Sequence, residues 1–309
     1  MKMLKPKFWS KKNSLLSFML FPLSIFLQIL IYLKKKITKK RKVSIPVICV
    51  GNIYLGGTGK TPLSIEIVKI LEKLNKKTAI IKKSYKDHED EFKLISSNQV
   101  ALFKDSSRYN GINEAIKQKF DCVVLDDGFQ DFSISKNLNI LCFNERQLIG
   151  NGMTLPSGPL RESLSSLKRC QIVVINGNTN LEFEKKIKNI SNNISIYYSK
   201  YVPDNIESFK NKNLLAFAGI GNPENFFYLL KNNNLKIKKK ISFSDHYNYS
   251  LKELNKLIYF ALNNGLQLIT TEKDYFRISH FQLPQIEYLK VKLDIIKKND
   301  FEKKIIRYL

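Results

Sequence analysis

The amino-acid sequence predicts an α/β protein made of two α/β/α units with mainly parallel sheets, behind an N-terminal membrane-anchoring helix. Three observations predict it. Short apolar runs alternate with amphipathic helical patterns after Lys42. An uncharged apolar segment fills Ser14–Leu33. The stretch VGNIYLGGTGKTP at 50–62 lies between an apolar run and a helical pattern. At 309 residues the chain is long enough for two moderate domains, each with its own core. A hydrophobic share of 43% argues against disorder.

The first element is SLLSFMLFPLSIFLQILIYL at 14–33. At about 1.5 Å per residue it reaches roughly 30 Å, enough for the hydrocarbon core of a bilayer. Lys2, Lys5, Lys7, Lys11 and Lys12 precede it and KKKITKKRK at 34–42 follows, so the flanks do not fix an orientation. Pro22 and Gln28 interrupt the run, which leaves both a crossing helix and a kinked helix lying in one leaflet open. The run is long for a signal peptide and lacks a small-residue cleavage site. The denser cluster at 34–42 predicts contact with anionic headgroups on a cytoplasmic face, with everything after it in the cytosol.

The net charge of +25, from 52 Lys+Arg against 27 Asp+Glu, predicts attraction to a polyanion. No helix-turn-helix or aromatic RNA-binding pattern is visible, and the densest basic run abuts the apolar segment. Anionic membrane lipids are therefore the expected partner and nucleic acid is not. Cys49, Cys122, Cys142 and Cys170 fall in or beside apolar runs with no C-x-x-C pair, the pattern of reduced core residues rather than a zinc site or disulfide framework.

Beyond Lys42, strands are expected at Pro46–Val50, Thr78–Ile81, Val100–Phe103, Cys122–Leu125, Ile140–Phe143, Ile172–Ile175, Ile194–Tyr198, Leu214–Ala218 and Leu266–Thr270. Helices are expected at Thr61–Leu74, Ile112–Lys119, Leu181–Ile190, Glu224–Lys231 and Leu251–Asn263. Such βα alternation argues for parallel sheets covered by helices. The irregular stretch Gly150–Arg169, rich in Gly, Pro and Ser, reads either as the seam between the units or as an ordered functional loop. The expected division is an anchor and basic flank at 1–42, a phosphate-loop domain at 43–165 and a second α/β domain at 166–309 closing over the site. The Asn/Lys-rich patches at 176–193 and 231–240 read as solvated surface.

The stretch at 50–62 nearly matches the phosphate-binding pattern G-x-x-x-x-G-K-[ST], with Tyr54 where the leading glycine belongs. It follows an apolar strand and opens a helix, as a P-loop NTPase-like unit requires. Gly56, Gly57 and Gly59 let backbone N–H groups wrap phosphate oxygens, and the helix N-terminus adds partial positive charge. The expected ATP-binding residues run from Gly56 and Gly57 through Thr58, Gly59, Lys60 and Thr61 to Pro62. Lys60 can reach the terminal phosphates and Thr61 can offer its hydroxyl to Mg²⁺. The strand CVVLDDG at 122–128 ends in Asp126 and Asp127, which lie on opposite faces if the strand continues through both. One of them then faces the metal while its neighbour orients water, substrate or the loop.

Taken with GNGMTLPSGPLRE at 150–162, DDGFQ at 126–130, FSDH at 243–246 and TTEKD at 270–274, these motifs resemble the tetraacyldisaccharide 4'-kinase (LpxK) family over most of the chain. In that family the phosphate loop also lacks the leading glycine, so Tyr54 is within its pattern. The resemblance implies transfer of the ATP γ-phosphoryl group to the 4'-hydroxyl of a tetraacylated glucosamine disaccharide 1-phosphate. It further implies lipid IVA as product, within lipid A biosynthesis, at the cytoplasmic face of a bacterial inner membrane. It maps Lys60 and Thr61 onto phosphate and Mg²⁺ residues, and Asp126 and Asp127 onto the family's acidic pair.

The resemblance also implies a carboxylate working with a histidine. Asp90 of HEDEFKL is the better match and Asp87 the runner-up, with His246 as the histidine that lets the carboxylate accept the sugar hydroxyl's proton. Arg161 is implied as the holder of the substrate's 1-phosphate; Gln130 and Asn151 are lesser substrate candidates. Glu272, Lys273 and Asp274 are expected to line the cleft between domains. Three departures stand out. The family's S-R-G-Y reads Lys82-Lys83-Ser84-Tyr85, so its arginine contact is either replaced by Lys83 or lost. The segment before Asp90 is short, and Asp131 stands where the family has a histidine. A second reading, from another class, is a membrane-associated P-loop nucleoside-triphosphatase acting as a switch; no N-K-x-D motif for guanine accompanies the loop.

Overall fold

The computed structural model describes residues 6–84 and 89–309; Asp87 lies outside them. The described chain forms two compact units, one of residues 6–84, 98–200 and 293–309 and one of residues 89–97 and 201–292.

The first unit opens with α1 (Leu15–Ile37), one continuous helix that runs through Pro22. It is the helix, among the described residues, long and apolar enough to cross a membrane. Its apolar side chains, Leu15, Phe18, Met19, Phe26 and Ile29 among them, are exposed, whereas Ser17 and Ser24 are buried. Ser17, Ser24 and Gln28 fall on one stripe at helical spacing. Ser24 Oγ donates to Thr154 O at 2.9 Å, Asn151 Nδ2 donates to Ser17 Oγ at 3.1 Å and Gln28 Nε2 donates to Arg161 O at 3.3 Å. The polar residues that interrupt the apolar run are thus the ones that hold the helix to the protein.

Next come β1 (Val47–Gly51), α2 (Lys60–Lys73) and β2 (Thr78–Lys83); then α3 (Glu89–Ser97), which belongs to the other unit; then β3 (Ala101–Asp105), α4 (Arg108–Lys117), β4 (Cys122–Asp126), β5 (Leu138–Asn144), β6 (Ile172–Asn176), α5 (Leu181–Ile190) and β7 (Ser195–Pro203). With the later β12 (Val291–Ile295) the strands form one sheet in the order β12-β7-β6-β5-β1-β4-β2-β3, parallel from β7 through β3. β1, β4 and β6 are buried along their whole length, as strands covered on both faces must be, which explains their unbroken apolar runs. All four cysteines are free and buried in this unit, and burial pushes their thiols above the usual range.

β6 and β7 lie past residue 165, where a seam was expected, yet they continue the sheet that holds β1. The Gly/Pro/Ser-rich stretch is an ordered loop instead. Leu55 N donates to Pro159 O at 2.8 Å, Arg161 N donates to Ile53 O at 2.6 Å and Leu160 is fully buried. Its backbone groups find partners in the phosphate loop, so an irregular composition here marks an interlocked loop and not a linker.

The second unit holds α3 and then β8 (Asn213–Ala218), α6 (Pro223–Asn232), β9 (Lys236–Ser242), α7 (Leu251–Asn263), β10 (Gln267–Thr271), α8 (Glu272–Ile278) and β11 (Ile286–Leu289); α9 (Lys298–Ile306) returns to the first unit. Its sheet is parallel, in the order β11-β10-β8-β9. Ser250 caps α7 in a capping box with Glu253. The expected solvated patch at 231–240 is solvated, and within it KIKKKIS forms β9, a strand with all four lysines exposed, as suits a sheet edge that must not recruit another strand. Leu215, Phe217, Tyr249, Leu254 and Ile258 pack a core on one side of this sheet and Phe226, Phe227 and Leu230 contribute to another.

Candidate active site

In each unit a cluster of polar side chains gathers expected site residues. In the first, β1 delivers the chain into the loop at 52–59 and α2 carries it away. Gly56 and Gly59 have φ of 123° and 95°, backbone that L side chains rarely adopt. Asn52 is fully buried, and its Nδ2 donates to Tyr54 O, Gly56 O and Thr58 Oγ1 at 2.7, 3.1 and 3.0 Å, so one amide shapes the loop from inside. Thr58 turns inward and is 2% exposed. Pro62 stands in the first turn of α2, where its missing N–H costs no helical hydrogen bond. Tyr54 is 6% exposed and packs in the core, and its backbone bridges to Leu160. The tyrosine in the place of the leading glycine therefore anchors the loop to the segment at 150–161.

Behind the loop, Asp126 is fully buried at the end of β4. Thr61 Oγ1 donates to its Oδ2 at 2.9 Å and Ser64 Oγ donates to its Oδ1 at 3.3 Å, while the Lys82 ammonium pairs with Oδ2. A hydroxyl and a carboxylate side by side are the hard oxygen donors that Mg²⁺ takes, and a lysine ammonium stands on the carboxylate like a stand-in cation. Asp127 leaves the strand with φ of 55° and points elsewhere. Arg161 NH1 donates to both of its carboxylate oxygens at 3.0 and 3.1 Å and Lys60 Nζ lies 3.9 Å away. Burial alone would raise this carboxyl, but Lys60 and Arg161 hold it down to about 2.

Several expected substrate contacts have other tasks here. Asn151 spends its amide on Ser17, Ser157 O and Met153 N, pinning α1 to the loop. Gln130 Nε2 donates to Asn52 O and Glu162 Oε1, which braces the phosphate loop. Arg161 faces Asp127. Asp131 accepts from Ser133 and pairs with Arg108 at 3.3 Å, while Arg108 NH2 donates to Asp127 O at 2.7 Å. Asp131 thus steadies the turn that presents Asp127, and burial is outweighed by these partners so that its carboxyl is lowered. Nothing in the sequence singled out Asn52, which works on the backbone of its own loop, or Arg108, and Lys82 stood out only as a departure from the family's S-R-G-Y; Arg108 and Lys82 meet partners distant in the chain.

The second cluster gathers on α3, α8 and the turn before α7. Asp90 is 3% exposed. Its Oδ2 accepts from Arg277 NH2 at 2.5 Å and lies 3.5 Å from His246 Nδ1, and its Oδ1 accepts from Glu91 N at 2.9 Å. Burial would raise the Asp90 carboxyl, but Lys273, Arg277 and His246 together bring it below the ordinary carboxylate value. His246 sits at φ of 53° with its N–H donating to Gly219 O at 3.0 Å. Burial first and the Lys273 charge second lower its pKa, so the imidazole is kept neutral.

Arg277 bridges Asp90 to Asp274, whose carboxylate also accepts from Gly219 N, Tyr249 OH and Thr271 Oγ1 at 2.9, 3.1 and 2.7 Å. Lys273 donates to Glu91 at 2.6 Å. The segment TTEKD therefore caps α8 and fastens α3 to it. Arg277 and Tyr249 were not foreseen; the spacing of Arg277 three residues after Asp274 on a helix is the signal that could have found it.

Together, a glycine loop between a buried parallel strand and a helix, a Lys-Thr pair and a buried carboxylate facing the threonine define a P-loop phosphotransferase fold. A family model described as LpxK, tetraacyldisaccharide-1-P 4'-kinase, matches residues 16–309. A tetraacyldisaccharide 4'-kinase of Pelagibacter ubique (strain HTCC1062) is 45% identical over 99% of this chain and 98% of its own length. One of Rickettsia bellii (strain OSU 85-389) is 34% identical over 99% of each chain. The crystal structure of an "apo" form of LpxK from Aquifex aeolicus in complex with ATP shares the fold, with a TM-score of 0.73 and 24% identity over 95% of this chain and 99% of that one. The chain belongs to the LpxK family of tetraacyldisaccharide 4'-kinases.

Proposed function

We propose that this protein transfers the γ-phosphoryl group of ATP to the 4'-hydroxyl of a tetraacylated glucosamine disaccharide 1-phosphate, giving lipid IVA. The observation that carries the reading is the set Thr61, Asp126, Lys60 and Asp127 at the foot of the phosphate loop, the first two of them buried, in a chain of this family. The loop amides from Gly56 to Thr61 and the N-terminus of α2 take the β- and γ-phosphates, with Lys60 as their point charge. Thr61 and Asp126 would hold Mg²⁺. When bound, Mg²⁺ neutralises charge on the phosphate oxygens. Asp127, kept ionised by Lys60 and Arg161, orients both cations toward the triphosphate.

Asp90 accepts the proton of the attacking 4'-hydroxyl, with His246 beside it to take up or share that proton. The neutral state of His246 suits this task, because only a neutral imidazole can accept a proton. Arg161 offers its remaining N–H groups to the 1-phosphate. α1 lies against the cytoplasmic leaflet of the inner membrane, its exposed apolar side toward acyl chains and its serine stripe toward the protein. The lysines at 34–42 meet anionic headgroups there. Incubation with γ-labelled ATP, Mg²⁺ and the disaccharide 1-phosphate tests the proposal. Label in the lipid supports it, and release of free phosphate with unlabelled lipid contradicts it.

A further inference from the structure

Lys82 is a charged side chain that the proposed transfer does not use, and it is 4% exposed. It stands near the end of β2, one residue past the register pair Ile81↔Leu125, which sets it beside Asp126 on β4. Its ammonium pairs with Asp126 Oδ2, the same oxygen that accepts from Thr61 Oγ1. Asp126 is fully buried, and a carboxylate without water needs a positive partner close by. In a P-loop site that partner is expected to be a divalent metal held between the hydroxyl and the carboxylate. This chain supplies a cation of its own at that carboxylate.

We propose that Lys82 is a resident counter-cation of Asp126: it neutralises this carboxylate in the metal-free protein and competes with a divalent ion for Oδ2, so that metal is taken up with the triphosphate and not before it. The proposal rests on the reading of Thr61 and Asp126 as the metal pair. A bare divalent ion approaching Asp126 meets an ammonium already seated on it, and two cations at one buried carboxylate repel each other with little screening. A triphosphate changes the balance because its oxygens accept both cations. Lysine suits the exchange: its charge is compact and rides on a flexible stem, so it can turn from the carboxylate to a phosphate oxygen. Lys82 is in this sense a positioning residue, acting on the metal through Asp126.

The test titrates Mn²⁺, as a spectroscopic substitute for Mg²⁺, into the full-length protein and follows free Mn²⁺ by electron paramagnetic resonance. Unaltered protein should bind Mn²⁺ at least about ten-fold more tightly with a non-hydrolysable ATP analogue than without nucleotide, after correction for Mn²⁺ bound to free analogue. Lys82→Met should bind Mn²⁺ without nucleotide about ten-fold more tightly than the unaltered protein. Lys82→Arg should resemble the unaltered protein, and Asp126→Asn added to Lys82→Met should remove the gain. Equal Mn²⁺ binding by unaltered protein with and without nucleotide overturns the proposal whether or not the variants fold. Equal binding by folded Lys82→Met and unaltered protein also overturns it. Lipid labelling is read separately. Absent labelling with a clear Lys82 effect would sink the kinase reading and leave this one, and normal labelling without the effect would do the reverse.

Discussion

The two polar clusters differ in how their charges balance. At the phosphate loop, Lys60, Lys82 and Arg161 face two carboxylates, Asp126 and Asp127, so the cluster carries spare positive charge. In the second unit, Arg277 and Lys273 face Asp90, Glu91 and Asp274, with a neutral His246 alongside. The first arrangement is unfinished without a polyanion, as a triphosphate site should be. The second carries spare negative charge, two cations against three carboxylates, and its cations hold Asp90 in the charged form against burial. One cluster is shaped to receive charge and the other to keep it.

The contrast is broken most sharply by removing one member of each. Asp90→Ala should lower phosphoryl transfer by roughly 10²–10⁴-fold, the usual worth of a positioned base, while nucleotide binding stays near normal. Lys60→Ala should weaken transfer and nucleotide binding together, as isothermal titration with ATP would report. Asp90→Ala with full turnover would remove Asp90 from its role.

Stability should separate the clusters next. Arg277→Met leaves Asp90 and Asp274 buried without their shared partner and should cost roughly 3–5 kcal/mol in denaturant unfolding. Arg161→Met breaks a pair that is about a quarter exposed on each side and should cost no more than about 1 kcal/mol. Similar losses for both would erase the distinction.

A smaller effect concerns pH. His246 has a folded pKa below its ordinary 6.5, so its contribution to stability is complete above pH 6.5 and is lost as pH falls through the lowered value. Asp90 is lowered from 3.8, so its contribution is complete above that value and is lost only in stronger acid. Between pH 7 and 5 the decline assigned to this cluster should therefore come from His246, and His246→Gln should flatten it. A further small change is expected of Ser24→Ala. Its loss of the hydrogen bonds to Thr154 and Ser157 should cost about 1 kcal/mol and loosen α1, measurable as faster amide exchange along that helix.

Much of the fold could be read from the chain, and the reasons for the rest are physical. β1, β4 and β6 announced themselves because burial on both faces demands apolar side chains throughout. β9 did not, since its lysines serve an exposed edge and hide the strand in a polar patch. α3 and α8 are short, and contacts between them, Asp90 with Arg277 and Glu91 with Lys273, supply partners that no local pattern displays. The phosphate loop was legible because its glycines, Lys60 and Thr61 are contiguous between one strand and one helix. Arg108, Lys82 and Arg277 were not, because each meets its carboxylate or carbonyl across the fold. Gly150–Arg169 illustrates the limit of composition: its Gly, Pro and Ser residues fit a linker as well as the interlocked loop that Tyr54 and Leu160 make of it.

The step to follow is transfer of the phosphoryl group to a sugar hydroxyl of a lipid. Phosphorus NMR of the purified lipid after incubation with ATP and Mg²⁺ measures it most directly. A second phosphate monoester, coupled to the proton at the 4' position and absent with Asp90→Ala, is the predicted result. A lipid still bearing its 1-phosphate alone, while ATP is hydrolysed, would contradict it.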